Sequence, residues 1–492
     1  MKSRLAKSTF WITVTRAATN LLGLASTIVL ARLLMPADFG LVAVATTILA
    51  IVSSVTELSL SNALIQHSNP TDEHFHTAWS LNMVRAVIIS ALLMAAAYPT
   101  ALIYRDPRLI GIMIALGLTV ILSGALNPKL VVFERSLDFR PILYRNVGSK
   151  AAGFVAAVGV AIVYRSYWAL VVGSIVAQLA TLLLSYTLKP FRPRVMWRHA
   201  GELWSFSIWL TLSQIVRTLN WRFDQLLVGW ILGKASLGYY TVGNNLAYLP
   251  TTEATSPLTQ TLFPAFSALK HDRARLRKAY SSAQALTSAI ALPVAFGWAL
   301  IADPTVRLIM GEKWLPAVIV VQIIACVAGI ATLANSVQPL ALAMGEPRKI
   351  FHRDTAFFLI RMPLIVIGMY EAGLLGMLWV RVVTASINTL VNMQLVSRLI
   401  GIPVWTQLLQ NLRTIVATTT MVIVVLLVRP RVSSGTDMMG LLVEIAVLAS
   451  VGALTYVVVT LLLWKAENYP DGPENEVLRA VQKLRSFAFA RS

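Results

Sequence analysis

Residues 441–464 read LLVEIAVLASVGALTYVVVTLLLW, an apolar run interrupted by one charged side chain, Glu444. A helix of this length rises about 36 Å at 1.5 Å per residue, enough to cross a hydrocarbon core about 30 Å thick. Inside a bilayer the backbone must satisfy its own hydrogen bonds, so such a run is read as a spanning helix. Working outward, comparable runs broken by Pro, Gly and charge cover 9–34, 39–66, 77–104, 109–127, 142–164, 167–188 and 203–232. The series continues over 237–269, 276–302, 317–344, 351–370, 373–400 and 404–428. The expected fold is therefore an all-α membrane protein of about fourteen transmembrane helices. The alternation over about ten residues that marks a membrane β-barrel is missing.

Composition agrees. Of 492 residues, 57% are hydrophobic and only 13% charged, with a mean hydropathy of +0.70; a soluble domain carries about twice that charged fraction. The formal charge of +20 would point to nucleic acid in a soluble protein. Here Lys and Arg fall in alternate connections (Lys129, Arg135, Arg140; Lys189, Arg192, Arg194, Arg198; Lys270, Arg273, Arg275). That bias places both termini in the cytoplasm, and no nucleic-acid partner is expected. The connection 67–76 departs from the pattern, carrying Asp72 and Glu73 with no Lys or Arg. The basic start (Lys2, Arg4, Lys7) runs into the first span without a small-residue cleavage site, so that helix is expected to be retained. Cys326 stands alone, which excludes an intrachain disulfide. The tail places Val477, Val481, Leu484 and Ala488 at helical spacing among Arg479, Lys483 and Arg485, as in an interfacial amphipathic helix.

Shifting the sequence by 198 residues lays 31–40 (ARLLMPADFG) over 229–238 (GWILGKASLG), matching Leu34 to Leu232, Ala37 to Ala235 and Gly40 to Gly238. Polar positions follow: Thr9, Thr13, Arg16, Asn20 and Thr27 meet Ser207, Thr211, Gln214, Thr218 and Gln225. Spacings of three and four put each set on one helical face. Six spans separate the copies, so both have the same orientation, and a site between two lobes near the midplane is expected. The lobes are read as 1–190 and 191–402, followed by two added helices over 403–465 and a basic cytoplasmic tail over 466–492.

A charge at mid-bilayer costs at least about 2.5–3.5 kcal/mol, so it normally meets water, a partner or a ligand. The spans contain Arg16, Glu57, Arg85, Arg217, Arg222, Asp224, Glu253, Arg361, Arg381 and Glu444. Arg217 lies about 14 residues into its span, roughly 20 Å deep, too far for easy snorkelling. It shares a face with Asp224, leaving either a structural ion pair or a cationic aqueous cavity. Arg16 and Arg85 are shallower and could instead reach the inner interface. Arg381, Thr384, Asn388 and Asn392 make one polar face. Glu253, flanked by Thr251, Thr252 and Thr255, either neutralises an arginine or takes a coupling cation or proton. Cations outnumber acids, a balance suited to an anionic ligand, since Arg grips phosphate through its planar fork. The cationic cavity set is thus Arg16, Arg85, Arg217, Arg222, Arg361 and Arg381, with Asn20, Gln214, Asp224, Glu253 and Asn388 as its polar or coupling groups. No metal or cofactor is expected.

The segments 28–40 (IVLARLLMPADFG), 62–66 (NALIQ) and 77–82 (TAWSLN) resemble the polysaccharide transporter family. These are the Wzx-type flippases, exopolysaccharide and colanic-acid branch, of the multidrug/oligosaccharidyl-lipid/polysaccharide exporter superfamily. The resemblance implies two six-helix lobes working by alternating access in the bacterial inner membrane. The cargo it implies is a polyprenyl-pyrophosphate-linked oligosaccharide, handed on to polysaccharide polymerase and chain-length machinery. Arg16 matches the family's cavity arginine in position. Competing readings are a drug/cation antiporter of the same superfamily, which would favour acids over Arg in the cavity, a lipid II flippase, and a membrane glycan polymerase or ligase. The last would need a large external loop with catalytic groups, and neither an Asp-x-Asp, a nucleophile elbow nor a metal-ligand cluster stands out.

Overall fold

A computed structural model describes residues 2–55, 60, 64–65, 70–201, 208–432 and 437–467. Glu57 and all but the first two residues of the expected tail lie outside the described residues. Among these residues there is no strand. The elements are α1 (Lys2–Leu33), α2 (Pro36–Val55), α3 (Asp72–Ile103), α4 (Arg108–Gly124), α5 (Val131–Arg135), α6 (Arg140–Tyr164), α7 (Trp168–Leu188), α8 (Ile208–Ile231) and α9 (Gly233–Leu269). They continue with α10 (Arg273–Leu300), α11 (Ala302–Met310), α12 (Pro316–Thr332), α13 (Val337–Ala343), α14 (Pro347–Ile400), α15 (Val404–Gln410), α16 (Leu412–Val432) and α17 (Met438–Ala466).

Among the described residues ten helices are long and apolar enough to cross a membrane, or eleven if the bent pair 108–124 and 128–135 is one span. The fold class is all-α and membrane-spanning; the count of about fourteen stands as an expectation. Two physical reasons separate the numbers. Polar residues on α8 and α9, with three prolines inside α9, keep both below that hydropathy. Conversely, the 54 residues of α14 fold back on themselves at Ala372 and Gly373, where Gly373 takes φ +57°. That break coincides with the gap expected between 351–370 and 373–400. The two arms meet tightly, since a Cβ on Gly376 would run into the Gly368 carbonyl oxygen.

The chain forms two compact units, Met1–Thr241 and Val242–Ser492. In the first, α6 and α7 touch backbone to backbone through small residues. A Cβ on Gly153 would lie 2.6 Å from that of Ala177, and one on Gly173 2.7 Å from that of Ala157. Without a hydrophobic drive between helices in lipid, such close approach lets dispersion hold them together. Leu30 of α1 and Leu34, just past its end, are buried with Ala157, Ala161 and Ala169. The acidic connection that broke the charge pattern is the start of α3. Asp72 and Glu73 occupy its first turn, where the helix dipole favours anions. There Asp72 pairs with Lys129 at 2.8 Å and Glu73 with Arg198 at 3.1 Å. The acids thus offset basic connections at the same end of the unit.

In the second unit, α12 is apolar all round and is the enclosed helix, as an all-hydrophobic surface requires. Leu262, Phe266, Tyr280, Leu340 and Val396 form one core cluster. Met421, Val425 and Leu448 form another that joins α16 to α17.

Candidate functional site

Within the first unit, α8 and the first turns of α9 pack on α2. A Cβ on Gly40 would run into the Lys234 carbonyl oxygen, and one on Gly238 into that of Pro36. Lys234 and Gly238 are the positions that a shift of 198 residues gives to Pro36 and Gly40. The contact is therefore reciprocal, as across a two-fold axis relating equivalent segments. Deeper along the same helices, Thr47 donates to Gln225 Oε1 at 2.7 Å, and both side chains are buried.

Beside this crossing, Tyr104 donates its hydroxyl to the Leu226 carbonyl at 2.8 Å. Asp106, 3% exposed, binds Lys234 at 2.5 Å and Arg108 at 2.8 Å. Burial alone would raise its carboxyl, but hydrogen bonds from Arg108 and Lys234 outweigh that and hold it well below the usual carboxylate range. A depressed folded-state value means stability present above the unfolded value near 3.9 and lost only as pH falls through the folded one. Asp106→Asn should therefore destabilise the detergent-solubilised protein by about 2–3 kcal/mol. Acidification to about pH 5 should leave this contribution intact in thermal unfolding. An equal loss at pH 5 and in the variant would mean that the carboxylate is not held by these cations.

The arginines expected in the cavity occupy different surroundings. Arg16 is exposed on α1, with Asn20 half-buried beside it. Arg217 is half-buried on α8 and donates to Gln214 Oε1 one turn away; Arg222 is half-buried further along. Asp224 is fully buried and accepts from Tyr240 at 2.6 Å and from the Gln225 amide at 2.9 Å. These bonds anchor α9 on α8. Arg85 lines a hollow of about 490 Å³ within the first unit and donates to the Ser53 carbonyl at 3.2 Å. Asn82, Ser123, Gln178, Glu134 and a second guanidinium, Arg145, share that hollow. Arg145 stands in the second turn of α6, and that place brings it in.

In the second unit, Arg361 and Arg381 are each 7% exposed. Arg381 donates to the Tyr248 hydroxyl at 3.2 Å, and Arg361 stacks over Phe357 with 5.8 Å to the ring centre. Glu253 is exposed on α9. The next turns of that helix line a hollow of about 370 Å³ with Thr252, Thr255, Ser256 and Thr259, faced by Asn335 and Gln338. Hydroxyls and amides without a fixed charge suit a ligand rich in hydroxyl groups. Asn388 lies elsewhere, on the wall of a groove between the arms of α14.

The family model described as polysaccharide biosynthesis protein matches residues 29–319, more than half of the chain. The chain belongs to this family. Its likeness reaches over most of two curated members. The lipopolysaccharide biosynthesis protein WzxC of Escherichia coli (strain K12) is 25% identical over 379 residues, 75% of this chain and 76% of that protein. The succinoglycan biosynthesis transport protein ExoT of Rhizobium meliloti (strain 1021) is also 25% identical, over 76% of each. This polysaccharide biosynthesis protein also shares its fold with the lipid II flippase MurJ in an inward closed conformation. That match has a TM-score of 0.72 at 14% identity and covers 92% of this chain and 98% of that one. The resemblance read from residues 28–82 thus agrees with the family match and the fold.

Proposed function

We propose that this chain moves a polyprenyl-pyrophosphate-linked oligosaccharide from the cytoplasmic to the outer leaflet of a bacterial inner membrane by alternating access, with both termini in the cytoplasm. The observation that carries this reading is the surplus of guanidinium groups within the spanning helices, Arg217 and Arg222 on α8 and Arg361 and Arg381 on α14. An anion is the ligand that offsets their desolvation cost. The diphosphate of a polyprenyl-linked oligosaccharide, the cargo that the family resemblance implies, is such an anion, and Arg grips it through its planar fork. The neutral hydroxyl- and amide-lined hollow beside Glu253 fits the glycan portion. The six arginines, with Asn20, Gln214, Asp224 and Glu253, are proposed as the cargo and coupling set, while Asn388 stands apart on the α14 groove; two qualifications apply. Asp224 acts through the α8–α9 contact, and Glu253, exposed, is the better proton or cation carrier. The chain acts as a carrier, with a polymerase and chain-length machinery consuming its product. The lobes 1–190 and 191–402 are proposed as the moving halves, supported by the reciprocal Gly40 and Gly238 contact.

The test uses proteoliposomes holding the purified full chain and a labelled polyprenyl-diphosphate oligosaccharide. Cargo should become accessible to a membrane-impermeant glycosidase on the opposite face at least about tenfold faster than in protein-free vesicles. No acceleration, or equal acceleration of a lipid lacking the diphosphate, would overturn the assignment.

A further inference from the structure

The arms of α14 run antiparallel, tied at one end by Arg353 Nη1 donating to Asn392 Oδ1 at 2.9 Å. Between them lies a groove of about 600 Å³. Its mouth carries Lys349, His352 and Arg353 from the first arm and Arg398 from the second; its walls are Phe357, Ile360, Ile387 and Val391. Cations at one end and hydrocarbon along the rest is the pattern of an anionic lipid. Neither half of that pattern alone would select one.

We propose that this groove holds one anionic phospholipid, separate from the arginines assigned to the cargo. Length and charge both point to a phospholipid rather than a polyprenyl carrier. From Lys349 to Ile360 the wall rises roughly 16 Å, and from Arg398 to Thr384 roughly 21 Å, at 1.5 Å per residue. That depth matches one leaflet of a hydrocarbon core about 30 Å thick, which one acyl chain fills and a polyprenyl chain far exceeds. At the mouth, Lys349 is bound to Glu346 at 2.9 Å and Arg353 to Asp354 at 2.6 Å. Three permanent cations against two acids leave one positive charge, with His352 and Arg398 both exposed to meet a headgroup. A phosphodiester supplies one negative charge, a diphosphate more. The leaflet concerned is the cytoplasmic one if the proposed orientation holds; the site itself requires only that the chain span a membrane.

The specificity must come from the headgroup, because an acyl chain leaves one hydrocarbon environment for another. A basic residue at a membrane surface favours an anionic lipid by about fivefold. Native mass spectrometry of the full chain in detergent, with phosphatidylglycerol and phosphatidylcholine of matched chains, reads the site directly. The expected result is one retained lipid, with phosphatidylglycerol preferred roughly fivefold to tenfold. Arg398→Gln should remove most of that preference and Arg398→Lys should keep it, and the pair decides the matter even if a bulkier variant fails to fold. Ile387→Trp, which fills the groove, should abolish retention of both lipids. Equal retention of the two headgroups by the wild type, or undiminished retention in folded Ile387→Trp, would overturn the site. So would stoichiometric displacement of phosphatidylglycerol by a polyprenyl diphosphate, which would make the groove part of the cargo path. Because the readout is lipid retention and not cargo transfer, failure of this site and failure of the flippase reading are separate results.

Discussion

Arg217→Ala should abolish polymer export while the chain still reaches the membrane at normal abundance. Removing a mid-membrane guanidinium relieves an insertion cost of at least about 2.5–3.5 kcal/mol, so insertion and folding do not depend on retaining it. What is lost is a planar fork half-buried on α8 and held from one turn away by Gln214 Oε1. Two charge-assisted hydrogen bonds to a phosphate, each about 1.5–3 kcal/mol, set the expected loss at a hundredfold or more. Arg217→Lys separates charge from shape. An ammonium keeps the attraction but not the bidentate geometry, so export should fall by about tenfold rather than vanish. Surface polymer, normalised to the amount of protein in the membrane fraction, is the measurement. Normal export from Arg217→Ala would remove this residue from the mechanism.

The helices were legible because hydrocarbon imposes one rule on all of them. Runs such as 167–188 and 441–464 needed only counting, and α7 (Trp168–Leu188) and α17 (Met438–Ala466) follow them closely. Interruptions inside apolar runs were harder to read. The run 317–344 divides into α12 and α13, and 404–428 divides at Asn411, whose side chain bonds back to the Gln407 carbonyl. Hydropathy does not register a local backbone turn of that kind. The candidate residues were legible as types but not as partners. Asp224 and Arg217 share a helical face, yet Asp224 reaches Tyr240 on the next helix. The Asp106–Lys234 pair joins residues 128 apart that no sequence pattern had connected. Partners of this kind depend on which helices pack side by side, which amphipathic periodicity leaves undetermined when most faces are apolar. Repeat symmetry carried such information once, at Gly40 and Gly238.

Gly40→Leu and Gly238→Leu should each reduce export by a hundredfold or more, and by similar factors. Each glycine faces the carbonyl oxygen at the other copy's position four residues earlier, with no room for a Cβ. A backbone oxygen cannot rotate aside as a side chain would, so the helices must separate, at a cost above the 1–3 kcal/mol typical of overpacking. Every 1.4 kcal/mol shifts a two-state equilibrium about tenfold, so the closed crossing would become a minor state. Equality of the two effects is the informative feature, because a two-fold contact meets the same obstacle from either side, whereas an accidental clash would be lopsided. Gly159→Leu on α6 is the control, since a Cβ there meets nothing within 4 Å. A thiol probe reports the cause of the loss. Thr47 is fully buried against Gln225 below the crossing. Thr47→Cys in a Cys326→Ser background should therefore resist a water-soluble alkylating reagent, and react readily once either glycine carries a leucine. Wild-type export from both leucine variants would mean that α2 and α8–α9 need not close on each other during transport. A thiol at position 47 that stays unreactive in variants that do lose export would place their defect outside this crossing.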